Sequence, residues 1–404
     1  MNIEGTEQSE FRSGWPIVLS AAAGSGLGVS ALLTYTAGLF VKGLENELGL
    51  SRTEFGLGVF GATLSVALAG IFVGRLVDRE GPRRAAGFGA LFLALGFVAM
   101  ATLVRSPIGY VAGMLMTGLL ASGSSPVPYA RAVSHAFARR RGLALGLMQM
   151  GIGISAALVP PGLGLTIALY GWRAGYAALA CIALLGLLPA LLGLPRNATR
   201  QDAPREGRAP IAKSREFWLM LTGFATMALA FAGMLPHFVP MLIDLGVSPL
   251  RASVLAGLIG ISVIVVRAVV GWLADLVHAP WIAAFTCLIC AAGCLILSLG
   301  GAAAAPIGAI SLGAAMGAEA DLVGFLVARY FPLMSYGRIY ALQYAAFMTA
   351  AGTGPLWVGA VADATGGYRE ALLISAALLT LAIVPFLLLP KYSRQVEPRK
   401  VKID

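Results

Sequence analysis

The amino-acid sequence predicts an all-α membrane protein with twelve transmembrane helices arranged as two six-helix bundles. Of its 404 residues, 58% are hydrophobic and only 12% are charged, whereas soluble domains carry about 25% charged residues. The charges are bunched, which leaves tracts without Asp, Glu, Lys or Arg that are long enough to cross a bilayer, such as residues 106–130 and 217–243. Within a bilayer the backbone polar groups need partners inside their own segment, and this requirement predicts helices.

The predicted spans divide the chain into two halves of six. They cover roughly residues 14–41, 55–74, 85–104, 107–130, 142–166, 174–194, 217–241, 252–274, 280–299, 305–328, 339–362 and 371–390. A long polar stretch, rich in Arg and Pro, separates the sixth span from the seventh. We therefore predict an N-terminal bundle over residues 1–195, a cytoplasmic linker over 196–214 and a C-terminal bundle over 215–404.

The basic residues are distributed unequally between the two sides of the predicted membrane. With the N-terminus inside, twenty-one Lys and Arg residues fall on the inner side and six on the outer side. This asymmetry predicts cytoplasmic N- and C-termini. We expect the membrane to be a bacterial-type inner (plasma) membrane. It also accounts for the net charge of +10 without a nucleic-acid partner. The first twelve residues lack the pattern of a cleaved signal peptide, so we expect none.

The sequence predicts no cofactor and no metal site. All four cysteines fall within spans, and no His or carboxylate joins them at metal-ligand spacing, so we interpret them as small packing residues. The chain has no Walker lysine motif, which argues against ATP-driven transport.

The two halves share a weak internal repeat. Gly74-Arg-Leu-Val-Asp78 follows span 2 and Gly271-Trp-Leu-Ala-Asp275 follows span 8, so that both read G-x-L-x-D. Parallel six-span repeats around a central site form one large group of secondary transporters. We expect Gly74 and Gly81 to allow a tight turn between spans 2 and 3.

Three stretches resemble known transporter signatures. Residues 74–84, Gly-Arg-Leu-Val-Asp-Arg-Glu-Gly-Pro-Arg-Arg, resemble the loop 2–3 signature of the major facilitator superfamily. Residues 38–53 and 137–146 resemble the first outer loop and the entry to span 5 of bacterial monocarboxylate transporters and oxalate/formate exchangers. The resemblance implies the major facilitator fold, transport by alternating access rather than enzyme activity, and a monomer.

The resemblance also implies an inner gate, because in the superfamily this loop acts as a lock in the outward-open state. Asp78 could accept hydrogen bonds from a neighbouring helix N-terminus, where the helix dipole favours an anion. The alternative is that these residues only anchor the inner membrane surface. The predicted gate residues are Asp78, Arg79, Arg83, Arg84, Arg131 and Asp275.

Arg267 is the candidate for binding a substrate. It lies inside span 8 with no acidic residue within seven positions, and an intramembrane guanidinium is costly unless it pairs with an anion. In the monocarboxylate-transporter resemblance an Arg at this place binds the substrate carboxylate and is followed four residues later by a glycine, here Gly271. A permanent ion pair with Asp321 or Glu319 is the alternative.

Coupling to a second gradient is harder to predict. Proton-coupled relatives carry an Asp one turn before that Arg, where this chain has Val263. The span 11 lysine that the exchanger resemblance would imply is also lacking. A single cation suggests one bound carboxylate, or a second one held by neutral donors. Coupling candidates are Glu319, Asp321 and His237, each of which could instead have a structural role.

Polar and aromatic residues on spans that line a cavity complete the candidate site, although aromatics on helices more often pack than bind. These candidates are Tyr35, Tyr129, Gln149, Gln343, Tyr344 and Phe347. The aromatic members would offer a stacking surface for an aromatic acid.

The sequence thus predicts a secondary active transporter of a small organic anion. A monocarboxylate, aliphatic or aromatic, is favoured, with either proton symport or anion exchange. The alternatives are an efflux pump for hydrophobic compounds, for which Arg267 would be dispensable, and a non-transporting sensor of the same fold.

Overall fold

The computed structural model describes residues 3–137, 141–195, 214–331 and 336–391. It describes only the backbone, and not the side chains, of residues 3–13, 71, 78, 141, 142, 275, 320 and 336–338. The predicted linker, residues 196–214, lies almost wholly outside the described residues, so the two domain boundaries stay predictions.

The described part of the first half consists of helices joined by short turns. Its helices are α1 (Ile3–Gly26), α2 (Val29–Leu48), α3 (Arg52–Glu80), α4 (Pro82–Leu103), α5 (Pro107–Leu120), α6 (Pro126–Ala136), α7 (Arg141–Leu185) and α8 (Leu187–Gly193).

The described part of the second half has the same character. Its helices are α9 (Arg215–Asp244), α10 (Pro249–Leu276), α11 (Ala279–Gly300), α12 (Ala305–Tyr330), α13 (Tyr336–Thr365) and α14 (Arg369–Leu387).

The described helices account for twelve membrane crossings, which confirms the predicted fold class. Among the described residues, nine stretches are long and apolar enough to cross a bilayer. Two of them, Leu143–Gly193 and Ala279–Tyr330, contain two crossings each: the chain reverses at Gly171, where φ is +81°, and at the 3-10 turn Gly301–Ala304. The remaining crossing is α5 and α6, which the 3-10 turn Ala121–Ser124 divides into two shorter helices.

Two broken spans meet inside the first bundle. Span 1 is interrupted between α1 and α2, and span 4 between α5 and α6. At the junction the Val29 amide donates to Ser124 Oγ at 3.1 Å. A Cβ added at Gly28 would lie 2.1 Å from Ser124 O, so only glycine permits this approach. The predicted spans 1 and 4 are therefore each built from two shorter helices.

The expectation of a tight turn at Gly74 is also wrong. Gly74 lies within α3, which continues to Glu80, and the turn occurs at Gly81 alone, with φ +86°. Pro82 then starts α4, since proline is favoured at the first position of a helix. The second copy of the repeat, residues 271–275, likewise lies within α10.

The two bundles meet along two antiparallel helix pairs, α3 with α13 and α7 with α10, and also where α2 packs against α9. Small residues let the backbones approach closely. A Cβ added at Gly56 would lie 2.3 Å from Pro355 O, and one added at Gly260 would lie 2.2 Å from Ala157 N. We call the end of the molecule that carries the start of α3 the Arg52 side, and the opposite end, where α8 ends and α9 begins, the linker side.

The same helices leave open space toward the linker side. A Cβ added at Gly74 of α3, Gly146 of α7 or Gly271 of α10 would meet no atom within 4 Å. The bundles therefore touch at backbone distance toward the Arg52 side, whereas these three positions toward the linker side have no close neighbour among the described atoms.

Candidate functional site

Arg267 projects from α10 at the interface between the bundles. Its Nε atom lies 3.3 Å from Asp321 Oδ2 on α12, and its side chain is 12% exposed. The sequence left open whether Arg267 is paired with Asp321, with Glu319 or with neither; within the described residues its ion-pair partner is Asp321.

This ion pair does not satisfy the guanidinium. Arg267 Nε and Nη1 are both buried, and neither has a hydrogen-bond partner among the described residues. A 3.3 Å contact with poor alignment contributes charge attraction but no hydrogen bond. Because buried donors without acceptors are costly, the site has unused capacity for an oxygen ligand.

Glu319 and Asp321 occupy different environments, as expected for residues two positions apart on a helix. Glu319 is 7% exposed, and its Oε2 atom has no hydrogen-bond partner among the described residues. Asp321 is 34% exposed and takes the ion pair. Glu319 lies close enough to Arg267 and Asp321 to interact with both charges. The three side chains therefore form one group of interacting charges.

Two tyrosines complete this group. Tyr35, on α2 of the first bundle, is half-buried and lies within range of the Arg267 and Glu319 charges. Tyr344, on α13, is 40% exposed and lies within range of Glu319. We call Tyr35, Arg267, Glu319, Asp321 and Tyr344 the Arg267 cluster; it combines residues of both bundles.

Tyr344 belongs to a row of stacked rings along α13. Its ring centroid lies 5.8 Å from that of Tyr340 at an interplanar angle of 11°, and 6.1 Å from that of Phe347 at 19°. Phe347 is buried. The row gives one wall near the Arg267 cluster an aromatic character.

Gln149 lies level with Arg267 on the facing helix. Cβ atoms at Gly164 and Gly153 of α7 would touch Ser253 and Ile264 of α10. One further turn along this antiparallel pair places Gln149 opposite Arg267. Gln149 Oε1 is buried without a hydrogen-bond partner in the described part of the chain.

Two of the candidates contact other parts of the molecule. Gln343 is buried and donates from Nε2 to Phe217 O at 2.9 Å, which ties α13 to α9. The Tyr129 ring is fully buried against Gly24, where a Cβ would lie 2.3 Å from it. Neither of these contacts involves the Arg267 cluster.

His237 lies at the Arg52 side rather than in the Arg267 cluster. It is fully buried. Nε2 donates to Pro355 O at 2.9 Å, so Nδ1 is the acceptor from the Tyr368 hydroxyl at 3.1 Å. Burial raises the pKa of the Tyr368 hydroxyl well above its usual value, which keeps it a donor. The Phe55 ring packs edge-on against the imidazole at 5.2 Å.

The predicted gate residues are only partly visible. The side chains of Asp78 and Asp275 lie outside the described residues. Arg79 and Arg84 are exposed, Arg83 and Arg131 are half-buried, and Arg84 forms an ion pair with Glu80. The inner-gate hypothesis therefore stays a prediction.

The structure adds an ionic network at the Arg52 side that the sequence analysis missed. Arg52, 8% exposed, lies 3.0 Å from Glu45 of its own bundle and 2.9 Å from Asp244 of the other. Lys42 also pairs with Asp244. Asp363 accepts hydrogen bonds from the start of α3. The signal available was the position of Asp363 near the end of its helix, which matches that of Asp78.

A family model described as Major Facilitator Superfamily matches residues 23–324, more than half of the chain. The chain belongs to the major facilitator superfamily. It is a multi-pass membrane transporter, not an enzyme.

Curated relatives of this transporter include several named for monocarboxylates. It is 28% identical to monocarboxylate transporter 13 of Bos taurus, covering 94% of this chain and 90% of that protein. It is 30% identical to monocarboxylate transporter 11 of Homo sapiens, covering 65% of this chain and 57% of that protein. A riboflavin transporter of Trypanosoma brucei brucei is 26% identical over 41% of this chain and 30% of that protein.

Solved structures share the architecture. A bacterial homolog of the human lysosomal transporter Spinster, in an inward-facing and occupied conformation, superposes with a TM-score of 0.73 at 16% identity, covering 94% of this chain and 96% of that one. A peptide transporter in complex with sulfate gives a TM-score of 0.73 at 14% identity, covering 93% and 94%. At these identities the likeness establishes the fold.

Proposed function

We propose that the transporter moves a small organic monocarboxylate and that Arg267 holds its carboxylate group. The observation that carries the proposal is the incomplete pairing of Arg267, whose buried Nε and Nη1 have no hydrogen-bond partner in the described part of the chain. A planar guanidinium presents two parallel donors that match a carboxylate. The names of the relatives that cover most or much of the chain, monocarboxylate transporters 13 and 11, support this substrate class.

The surrounding residues suit the remainder of such a substrate. Tyr35 and Gln149 supply polar atoms from the first bundle, and Tyr344 offers a ring edge and a hydroxyl from the second. Since these groups come from both bundles, a substrate bound among them would be released as the bundles separate, as alternating access requires. The aromatic row on α13 accommodates an aromatic acid as well as an aliphatic one.

Charge balance favours proton symport over exchange. With Arg267 paired to Asp321, an incoming carboxylate adds a negative charge to a site that already holds Glu319, and uncompensated buried charge is costly. One proton taken up by Glu319 with each carboxylate would keep the net charge of the site unchanged. We therefore assign Glu319 as the proton carrier and Asp321 as the group that the substrate displaces from Arg267.

The excess of basic residues on the linker side favours a cytoplasmic position for that side. The structure would then represent the inward-open state of a protein in a bacterial-type inner membrane, with both termini in the cytoplasm.

Thermal stabilisation of the purified full-length transporter tests the proposal. The panel would contain lactate, pyruvate, oxalate, succinate and benzoate, together with hydrophobic cations typical of efflux substrates. A ligand at 100 times its Kd stabilises by about 2.7 kcal/mol, which a melting curve resolves. We expect one class of monocarboxylate to raise Tm in the wild type and not in Arg267→Gln.

The matched control is Arg251→Gln, which removes the same charge from an exposed position on the same helix and should leave the shift unchanged. The double variant Arg267→Gln/Asp321→Asn avoids an unpaired Asp321 and should also lose the shift. An unchanged shift in both Arg267 variants would contradict the proposal. Stabilisation by the cations alone would favour the efflux pump.

A further inference from the structure

Asp363, near the end of α13, caps the N-terminus of α3 across the interface between the bundles. Its Oδ1 accepts from the Arg52 amide at 3.0 Å. Its Oδ2 accepts from the Thr53 amide at 2.7 Å and from Thr53 Oγ1 at 2.6 Å. A carboxylate at this place is favoured both by the free amide groups of a helix start and by the helix dipole.

The remaining amides of this helix start are satisfied within the first bundle. Ser51 Oγ accepts from the Glu54 amide at 3.1 Å, and Glu54 Oε2 accepts from the Ser51 amide at 2.9 Å. This capping box serves Ser51 and Glu54 and leaves the Arg52 and Thr53 amides to Asp363. The first turn of α3 is therefore complete only when the second bundle lies against it.

Close packing and ion pairs support the same contact. A Cβ added at Gly359, one turn before Asp363, would lie 2.2 Å from Arg52 O, so the helices touch at backbone distance. The Arg52 side chain, paired with Glu45 and Asp244, also lies 5.8 Å from the Tyr368 ring centroid. Every one of these contacts except that with Glu45 joins one bundle to the other.

An acidic residue also lies near the end of α3, at the opposite end of the α3–α13 pair. Asp363 lies two residues before the end of α13 at Thr365, and Asp78 lies two residues before the end of α3 at Glu80. Because the two helices are antiparallel, each helix carries an acidic position at the end where the other helix begins.

We propose that Asp363 is a state-specific lock: its bonds to the start of α3 hold the Arg52 side closed, and they break each time the transporter opens to that side. Together with the predicted gate at Asp78, α3 and α13 would carry one carboxylate lock at each end, and only one would be engaged at a time. Breaking the Asp363 bonds leaves the Arg52 and Thr53 amides to water and removes a carboxylate from the positive end of the helix dipole, which makes the open state less favourable.

Distances between spin labels at the Arg52 side test this lock. Labels would be placed on the full-length transporter in nanodiscs at Arg105→Cys of the first bundle and Leu250→Cys of the second, both exposed, with the four native cysteines replaced by serine or alanine. Opening of the Arg52 side lengthens this distance. We expect Asp363→Ala to raise the ratio of long to short distances by about tenfold, in line with a charged cap at a helix start.

The matched control is Glu370→Ala, which removes the same charge from an exposed position in the first turn of α14 on the same side and should leave the distances unchanged. A milder variant, Thr53→Val, removes only the Oγ1 bond and should shift the ratio in the same direction by about threefold. Unchanged distances in both Asp363→Ala and Thr53→Val, or an equal shift in Glu370→Ala, would overturn the proposal. The outcome does not depend on the identity of the substrate.

Discussion

Arg267 and Asp321 approach to 3.3 Å between Nε and Oδ2, yet two buried guanidinium nitrogens, Nε and Nη1, make no hydrogen bond within the described part of the chain. The pair therefore neutralises charge without completing the coordination of the guanidinium. In the account proposed here, Asp321 occupies the place of a substrate carboxylate and gives it up on binding.

Removal of this internal competitor should strengthen substrate binding. In Asp321→Asn the guanidinium no longer has to exchange one carboxylate for another, so we expect the Kd for the monocarboxylate to fall by about three- to tenfold. Isothermal titration on the purified protein measures it. Asp321→Glu, which restores the charge, is the control and should bind no more tightly than the wild type. Weaker binding by Asp321→Asn would show that Asp321 contributes to the site instead of competing for it.

Replacement of the proposed proton carrier should separate exchange from net transport. We expect Glu319→Gln to lower uptake driven by a pH gradient by at least about tenfold, because a neutral amide cannot release a proton. Substrate counterflow, which needs no net proton movement, should persist. Proteoliposomes containing an internal pH dye report both quantities. Gradient-driven uptake at the wild-type rate would exclude Glu319 as the carrier.

His237 should matter for stability and not for coupling. Both ring nitrogens are bonded, to Pro355 O and the Tyr368 hydroxyl, in a fully buried position. His237→Ala leaves two partners unsatisfied and creates a cavity, so we expect a loss of about 2–4 kcal/mol, seen as a lower Tm. Tyr368→Phe, which removes one of these bonds, should cost about 1 kcal/mol. A loss of proton coupling in His237→Ala protein that remains folded would contradict this assignment.

Two glycines of α10 should respond in opposite ways to the same substitution. A Cβ at Gly260 would lie 2.2 Å from Ala157 N, whereas one at Gly271 would meet no atom within 4 Å. Gly260→Ala should therefore cost about 1–3 kcal/mol through overpacking. Gly271→Ala should be neutral or stabilising by up to about 1 kcal/mol, since alanine favours helices. Thermal melts compare the two, and equal effects would argue against the described interface between the bundles.

The sequence was sufficient for the architecture because long uncharged tracts permit few alternatives. Hydropathy and the position of the polar linker predicted twelve crossings, and the described helices agree. The breaks inside spans 1 and 4 were missed because the spans were delimited by uncharged length alone, although Ser122-Gly-Ser-Ser-Pro126 is a cluster typical of a turn. The continuation of α3 to Glu80 was missed because Gly74 appeared to be a turn residue.

The site was predictable one residue at a time but not as a network. An unpartnered Arg in an apolar span is conspicuous, so Arg267 could be found. The choice between Asp321 and Glu319 needed coordinates, because the two lie two positions apart. The contact between Asp363 and Arg52 was missed because the two residues are 311 positions apart, and the position of Asp363 near the end of its helix does not by itself name a partner.

Competition by a carboxylic acid and by its primary amide is the most direct test of the role assigned to Arg267. The two compounds have nearly the same shape and differ in charge. The assay measures how each compound inhibits counterflow of a labelled monocarboxylate in proteoliposomes that contain the wild type or Arg267→Gln. We expect the acid to inhibit the wild type and the amide to inhibit it hardly at all, and we expect Arg267→Gln to lose this preference. Equal inhibition of the wild type by acid and amide, or a preference that survives in Arg267→Gln, would contradict that role.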